Sequence, residues 1–443
     1  MRQILDTLHS KLGDLWWYSL MVFVACRIGD VMNVFVGLWL VPKYVDSSEL
    51  GAVMPLTQFA SFLALPVSIF AMVFSKEVTT LATQRRFGQL KTLIRSVYLA
   101  ATIALVLAVV ASRVFMPLFL ERIRIVEGSL GILILVSAFL SCSAPLYTNA
   151  LQGLKKFKAL SLINILGAPI RLIAMWLTMP FRALAGYFVG QSAPPLLQIF
   201  TSVFCLKREL SIPAEHYWDR TVVKRFSRLL IGTAGYLISA SLVGLVEQLI
   251  VRQRLPDVES AAYYMTTRLS EISAFVTGTL ILTMFPFTAE RAETGRPTYP
   301  LVVKASLITL LFGTALAALF AFFGKPNLSC LPNGSQYADY AWSIPWLIGI
   351  SSIGSIWGYH ASTEISANRF GFLKWWIPSS GLYVLGLLLI TGHGYLASYL
   401  PTSVSDFLAT HNVTSLAAFL WWSTGITTVR VVCSAIDLWR QKT

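Results

Sequence analysis

The sequence predicts an all-α polytopic membrane protein with twelve transmembrane helices in two six-helix lobes. Three observations lead there. The 443-residue chain is 56% hydrophobic and only 13% charged, whereas soluble domains carry about 25% charged residues. Its apolar residues fall into runs long enough to cross a hydrocarbon layer of about 30 Å, which takes roughly 20 residues per helix. Finally, lysine and arginine are distributed unequally between alternate connections, as they are in membrane proteins.

Taken in order, the runs place spans at 16–42, 50–75, 96–120, 129–150, 159–180, 183–206, 229–251, 260–287, 300–323, 341–363, 373–391 and 412–436. The first run is too long for a signal-peptide core and has no small-residue cleavage site after it, so it is expected to be retained. With the N-terminus inside, the cytoplasmic connections and termini hold 23 Lys and Arg against eight in the opposite connections. Positive charge is held inside, which predicts that both termini are cytoplasmic. The formal net charge of +14 therefore reads as topology, and nucleic acid is not expected as a partner.

The chain also repeats itself. DSSELGAVMPLTQF opens the second span and DVESAAYYMTTRL the eighth; KKFKALSLINILG enters the fifth and NRFGFLKWWIPSSG the eleventh, both pairs at an offset of about 210 residues. Two parallel halves follow, an arrangement in which a transporter's substrate site lies between repeats. The expected division is a first lobe at 1–210, a cytoplasmic amphipathic connector at 211–228, read as an interfacial helix lying on the membrane surface, and a second lobe at 229–443.

Charges inside spans are the candidate functional residues, because each costs about 2.5 to 3.5 kcal/mol at mid-bilayer depth. Arg27 and Asp30 lie on the first span and Arg268 and Glu271 on the eighth, each pair three residues apart and so on one helical face. If the halves face each other, both pairs line one central cavity, where arginine's planar fork suits a phosphate or diphosphate. In the other reading each pair is a local ion bridge. Glu247 either takes part in Na⁺ or proton coupling or sits at the interface near Arg252 and Arg254, the reading favoured by its place near a span end. Arg171 and Arg430 are expected to snorkel to an interface.

No enzyme constellation is visible. There is no nucleotide-binding GxxxxGK[ST] loop, no HExxH and no GxSxG serine. The five cysteines have no metal-ligand spacing, so neither a metal site nor a disulfide framework is expected, and no cofactor is implied. His360 and Glu364 are expected to meet at a helix end. Trp16, Trp17, Tyr18, Trp375, Trp376, Trp421 and Trp422 fit an aromatic belt, and the sequons at Asn327, Asn333 and Asn412 read as chance matches.

The stretch VEQLIVRQRLPDVESAAYYMTTRL followed by MFPFTAERAETG, together with SELG at 48–51 and the loop LQGLKKFKALSLINILGAPIRLI, resembles the Wzx-type polysaccharide flippases. Their superfamily also contains the MATE exporters and the lipid II flippase MurJ. Glu247, Ala261, Tyr263 and Pro286 stand at matching places, with Ala261 replacing the usual glycine. The resemblance implies two lobes around a cavity that opens alternately to either side of the membrane. It implies a bacterial inner-membrane flippase that carries a polyprenyl-diphosphate-linked oligosaccharide outward for cell-surface polysaccharide synthesis. Arg27 and Arg268 would hold the diphosphate, with Gln58 and Asn33 near the sugar. Membrane lipids, and glycosyltransferases or a polymerase, would be its partners. Asp30 matches a carboxylate used for proton coupling in some MATE exporters, so an H⁺- or Na⁺-coupled drug exporter stays open, as does a non-transporting scaffold of a glycosyltransferase complex.

Overall fold

The computed structural model describes residues 27–125, 129–154, 156–218, 220–275, 277–278, 280, 288, 291, 297–366, 369–390 and 416–440. Trp16, Trp17, Tyr18, Cys26, Pro286 and the Asn412 sequon lie outside the described residues. Among the described residues every regular element is a helix, and twelve helices fall where the twelve spans are expected. They are α1 (27–44), α2 (Val53–Thr83), α3 (Phe87–Arg122), α4 (Ser129–Gly153), α5 (Phe157–Thr178), α6 (Ala183–Leu210), α7 (Arg220–Arg254), α8 (Asp257–Ser270), α9 (Tyr299–Ser329), α10 (Ser343–Ser366), α11 (Leu373–Ile390) and α12 (Leu416–Arg440). At least six of them are long and apolar enough to cross a membrane. Large apolar side chains such as Leu107, Phe204, Leu311 and Phe322 stand exposed on the helix surfaces, as hydrocarbon surroundings favour and water does not.

Several boundaries depart from expectation for local reasons. α3 starts at Phe87, nine residues before the expected span, because QLKTLIRS stays helical beyond the apolar run. Arg85 with φ 58° makes the left-handed break before it. The connector at 211–228 is not one amphipathic helix. Residues 213–218 are non-helical, and from Arg220 the chain is helical without interruption to Arg254. The non-helical part is strapped to the start of α3, with Glu215 N donating to Gly88 O at 3.2 Å and Lys91 Nζ to Ile212 O at 2.9 Å. Its Tyr217 is buried in the core of α2, α3, α4 and α6, which an interfacial helix would not allow.

The chain divides into two compact units. The first holds 1–36, 60–120 and 127–234, and the second holds 37–59, 121–126 and 235–443. The cuts fall inside α1, α2, α3 and α7, so the units are drawn differently from the six-helix halves that the repeat suggests.

Within the first unit, α5 and α6 form a tight hairpin. Gly186 sits so close to the end of α5 that a Cβ would lie 2.5 Å from Met179 N. Small residues let membrane helices approach in this way.

Within the second unit, α1 widens into a π-helical turn over Val36–Leu40 before Val41–Tyr44. Pro42 has no N–H to offer the carbonyl of Leu38, so the regular i to i−4 register breaks just before it. The Pro42 carbonyl in turn accepts the Asn333 side-chain amide at 2.8 Å. Asn333 itself adopts the left-handed conformation, with φ 56°, so this sequon residue is used by the fold. The short helical turn Ser47–Leu50 packs on α8, where a Cβ on Gly51 would lie 2.2 Å from Ser260 Oγ. The two members of the DSSELG/DVESAA repeat thus touch each other.

Arg252 holds this corner. It is 1% exposed and donates from Nε to Ile123 O at 3.0 Å, from Nη1 to Asp257 Oδ1 at 2.9 Å and from Nη2 to Ser48 O at 2.6 Å. Arg124 reinforces it through Asp257 and the Gln253 carbonyl. A buried guanidinium is tolerable because its donors are satisfied by a carboxylate and two carbonyls.

Candidate functional site

The first unit contains a cavity of about 310 Å³. Its wall is built by helix periodicity: Asn164, Gly167, Ala168 and Arg171 on α5, and Gln191, Pro194, Pro195 and Gln198 on α6, each set spaced i, i+3, i+4, i+7. Gly29, Asp30 and Asn33 from α1 and Ser141 from α4 complete the polar lining. Four carboxamides, one hydroxyl, one carboxylate and one guanidinium therefore converge between apolar helices. Each carboxamide offers both a donor and an acceptor. Pro194 and Pro195 lie inside α6 and remove the intrahelical donors for the Gly190 and Gln191 carbonyls, adding acceptors nearby.

Arg171 Nη1 donates to Asn33 Oδ1 at 2.6 Å. Asp30 accepts from Arg27 at 3.0 Å, the local ion bridge that their spacing predicts. Asp30 and Asn33 line this cavity, whereas Arg27 stands beside it and reaches it through Asp30. Snorkelling is not what Arg171 does: its guanidinium is turned to the polar wall.

The second unit contains a smaller cavity of about 130 Å³, lined by Val243 and Glu247 of α7, Tyr263 of α8, Leu347 and Ile350 of α10, Tyr383 of α11, and Phe419, Leu420, Ser423, Thr427 and Arg430 of α12. Glu247 Oε1 accepts from the Tyr263 hydroxyl and Oε2 from the Tyr383 hydroxyl, both at 2.8 Å. Tyr383 also meets Ser423 Oγ at 2.7 Å. Arg430 donates from Nε to Ser379 Oγ at 3.2 Å and from Nη2 to Ser380 Oγ at 3.0 Å, with its guanidinium 4.4 Å from the centre of the Trp376 ring. Two expectations are corrected. Glu247 does not pair with Arg252, which is spent on Asp257 and two carbonyls, and Arg430 is held inside the unit instead of snorkelling.

Arg268 and Glu271 form the second expected bridge, with Nη1 at 2.9 Å from Oε1 and 2.8 Å from Oε2. Arg268 also lies over the Tyr264 ring at 5.4 Å and runs against Gly37 in the π turn, where a Cβ would be 3.2 Å from its Cδ. A side chain at this position would have to displace the arginine. Gln58 on α2 packs on α7, its Nε2 2.9 Å from where a Gly244 Cβ would stand. His360 meets Ser434 Oγ of α12 at 3.0 Å through Nδ1. Trp375 and Trp376 are likewise structural, donating to Asp437 at 3.1 Å and Ser239 at 2.6 Å.

Among the described residues, no group of three or more His, Cys, Asp or Glu side chains converges as a metal site. The residues that sequence reasoning passed over are Asn164, Gln191 and Gln198 in the first unit and Tyr383 in the second, while Arg171 and Arg430 were assigned to snorkelling. The i, i+7 recurrence of polar residues inside apolar runs, Asn164 with Arg171 and Gln191 with Gln198, is the signal that would have found the first set.

No family model matches the sequence, and no curated protein is similar to it. Solved structures share its fold. A MATE-family multidrug resistance transporter of the MOP superfamily, in an outward-facing conformation, aligns over 98% of this chain and 98% of its own with a TM-score of 0.60 at 12% identity. The lipid II flippase MurJ, in an inward closed conformation, aligns over 96% of this chain and 87% of its own with a TM-score of 0.59 at 12% identity. A MOP-superfamily transporter from Pyrococcus furiosus, described as having a binding pocket of reverse polarity that suggests a different function, aligns over 97% of each chain with a TM-score of 0.59 at 12% identity. The chain is thus a polytopic helical membrane protein with the fold of the MOP-superfamily transporters.

Proposed function

We propose that this protein is a flippase that moves a polyprenyl-diphosphate-linked oligosaccharide from the cytoplasmic to the outer leaflet of a bacterial inner membrane by alternating access. The observation that carries the reading is the carboxamide-lined cavity of the first unit. Asn33, Asn164, Gln191 and Gln198 can donate to and accept from sugar hydroxyls at the same time, whereas a cationic, apolar drug would use few of those groups. The shared fold with a lipid II flippase supports it. In this reading Arg27 and Arg171 in the first unit, and Arg268 in the second, are each proposed as phosphate contacts. Asp30 and Glu271 hold two of these guanidinium groups until substrate competes for them. Moving a dianion outward across an inside-negative membrane is favourable by about 2.3 kcal/mol per charge per 100 mV, so no nucleotide hydrolysis is needed.

Binding to the purified protein tests this directly, with a fluorescent polyprenyl-diphosphate disaccharide and a cationic dye offered in parallel. Glycolipid binding weakened about tenfold by removing one or two sugar hydrogen bonds, as in Gln191→Ala with Gln198→Ala, is the expected result. Dye binding that is lost in Asp30→Asn, with no glycolipid binding, would favour a cation-coupled exporter. That second reading draws on Asp30 lining the cavity and on Glu247. Export of polysaccharide from cells carrying both Arg27→Ala and Arg268→Ala at the normal rate would favour a scaffold of the glycosyltransferase complex.

A further inference from the structure

The cavity at Glu247 contains its own counter-ion. Each carboxyl oxygen accepts a separate phenolic hydrogen, from Tyr263 and from Tyr383. The two tyrosines thus hold the carboxyl group from both sides. Tyr383 also meets the Ser423 hydroxyl at 2.7 Å. An anion among Val243, Leu347, Ile350, Phe419 and Leu420 requires a positive charge nearby. Of the residues lining this cavity, Arg430 is the other charged one.

Arg430 is fixed there. Two of its nitrogens donate to Ser379 and Ser380 of α11, and its plane lies over Trp376 at 4.4 Å and near Tyr383 at 5.6 Å. A lysine ammonium could not stack and serve two hydroxyls in this way.

We propose that Arg430 is a tethered cation that neutralises Glu247 and so makes this site independent of Na⁺. As it stands the cluster of one carboxylate, one guanidinium and neutral hydroxyls has no net charge. An entering Na⁺ meets a like charge across a cavity of about 130 Å³ and competes with the phenolic donors for both carboxylate oxygens. Without the guanidinium the balance reverses. A carboxylate, the Ser423 and Thr427 hydroxyls and the two phenols are hard oxygen donors of the kind that suit alkali and alkaline-earth ions. The inference deepens the coupling side of the proposed function and concerns the ion alone.

The test is thermal unfolding of the purified full-length chain in NaCl, KCl and choline chloride at equal ionic strength, for wild type, R430A, R430Q and E247Q/R430Q. Wild type is expected to unfold at one temperature in all three salts. R430Q, whose size is close to that of arginine, is expected to gain a Na⁺-specific rise of about 2 to 4 °C, which E247Q/R430Q lacks. Where R430A does not fold, R430Q and direct binding of radioactive Na⁺ carry the comparison. Na⁺-specific stabilisation of wild type, or a folded R430Q that neither binds nor responds to Na⁺, overturns the proposal. Glycolipid binding is measured separately, so failure here leaves the flippase reading to its own experiment.

Discussion

The cavities of the two units are built on opposite plans. In the first, about 310 Å³ is bounded by four carboxamides, each carrying both a donor and an acceptor. In the second, about 130 Å³ surrounds a carboxylate whose oxygens are each taken by a phenol. The first is suited to exchanging partners with a hydroxylated ligand, and the second to holding its own atoms in place. Under the proposed function, polarity inside this membrane protein serves binding in one region and internal cohesion in the other, and substitutions should separate the two.

The largest effect is expected from Glu247→Ala, which leaves the Tyr263 and Tyr383 hydroxyls without the carboxyl group they share. Each orphaned hydroxyl costs about 1 to 3 kcal/mol, and denaturation in detergent micelles should show the loss of both. Tyr383→Phe takes away one donor and leaves both Glu247 and Ser423 short of a partner. A fall of about 1 to 3 kcal/mol in the same assay is expected. In the first unit, Gly167→Leu directs a side chain into the cavity, since a Cβ at Gly167 meets nothing nearer than Pro194 Cβ at 3.7 Å. Glycolipid binding should drop at least about tenfold while stability changes little. Gln198→Ala is expected to alter stability by less than about 0.5 kcal/mol yet weaken sugar binding measurably. A large stability loss in either first-unit variant would erase the contrast.

The spans were legible because a bilayer imposes a length and an apolar composition that appear directly in the sequence. The ion bridges Arg27–Asp30 and Arg268–Glu271 were legible too, since i, i+3 spacing places both groups on one face. What was hidden depends on contacts between helices distant in sequence. Glu247 looked like an interfacial carboxylate because Arg252 and Arg254 stand close in the chain, while its actual partners are 16 and 136 residues away. Arg430 looked like a snorkelling residue because Ser379 and Ser380, its partners about 50 residues earlier, belong to another helix. The connector failed as an amphipathic helix for a similar reason: the backbone carbonyls of Gly88 and Ile212 claim their partners across more than 120 residues.

Arg252 has a consequence for how the protein is made. A chain is synthesised and inserted from its N-terminus, so the Ser48 and Ile123 carbonyls are in place well before the guanidinium that joins them emerges. Asp257, which shares that guanidinium, comes five residues later still. The turn at Ser47–Leu50 and the turn at 123–125 are therefore not joined through Arg252 until the ribosome has passed the start of α8, and one side chain sets the point in biogenesis at which this corner closes.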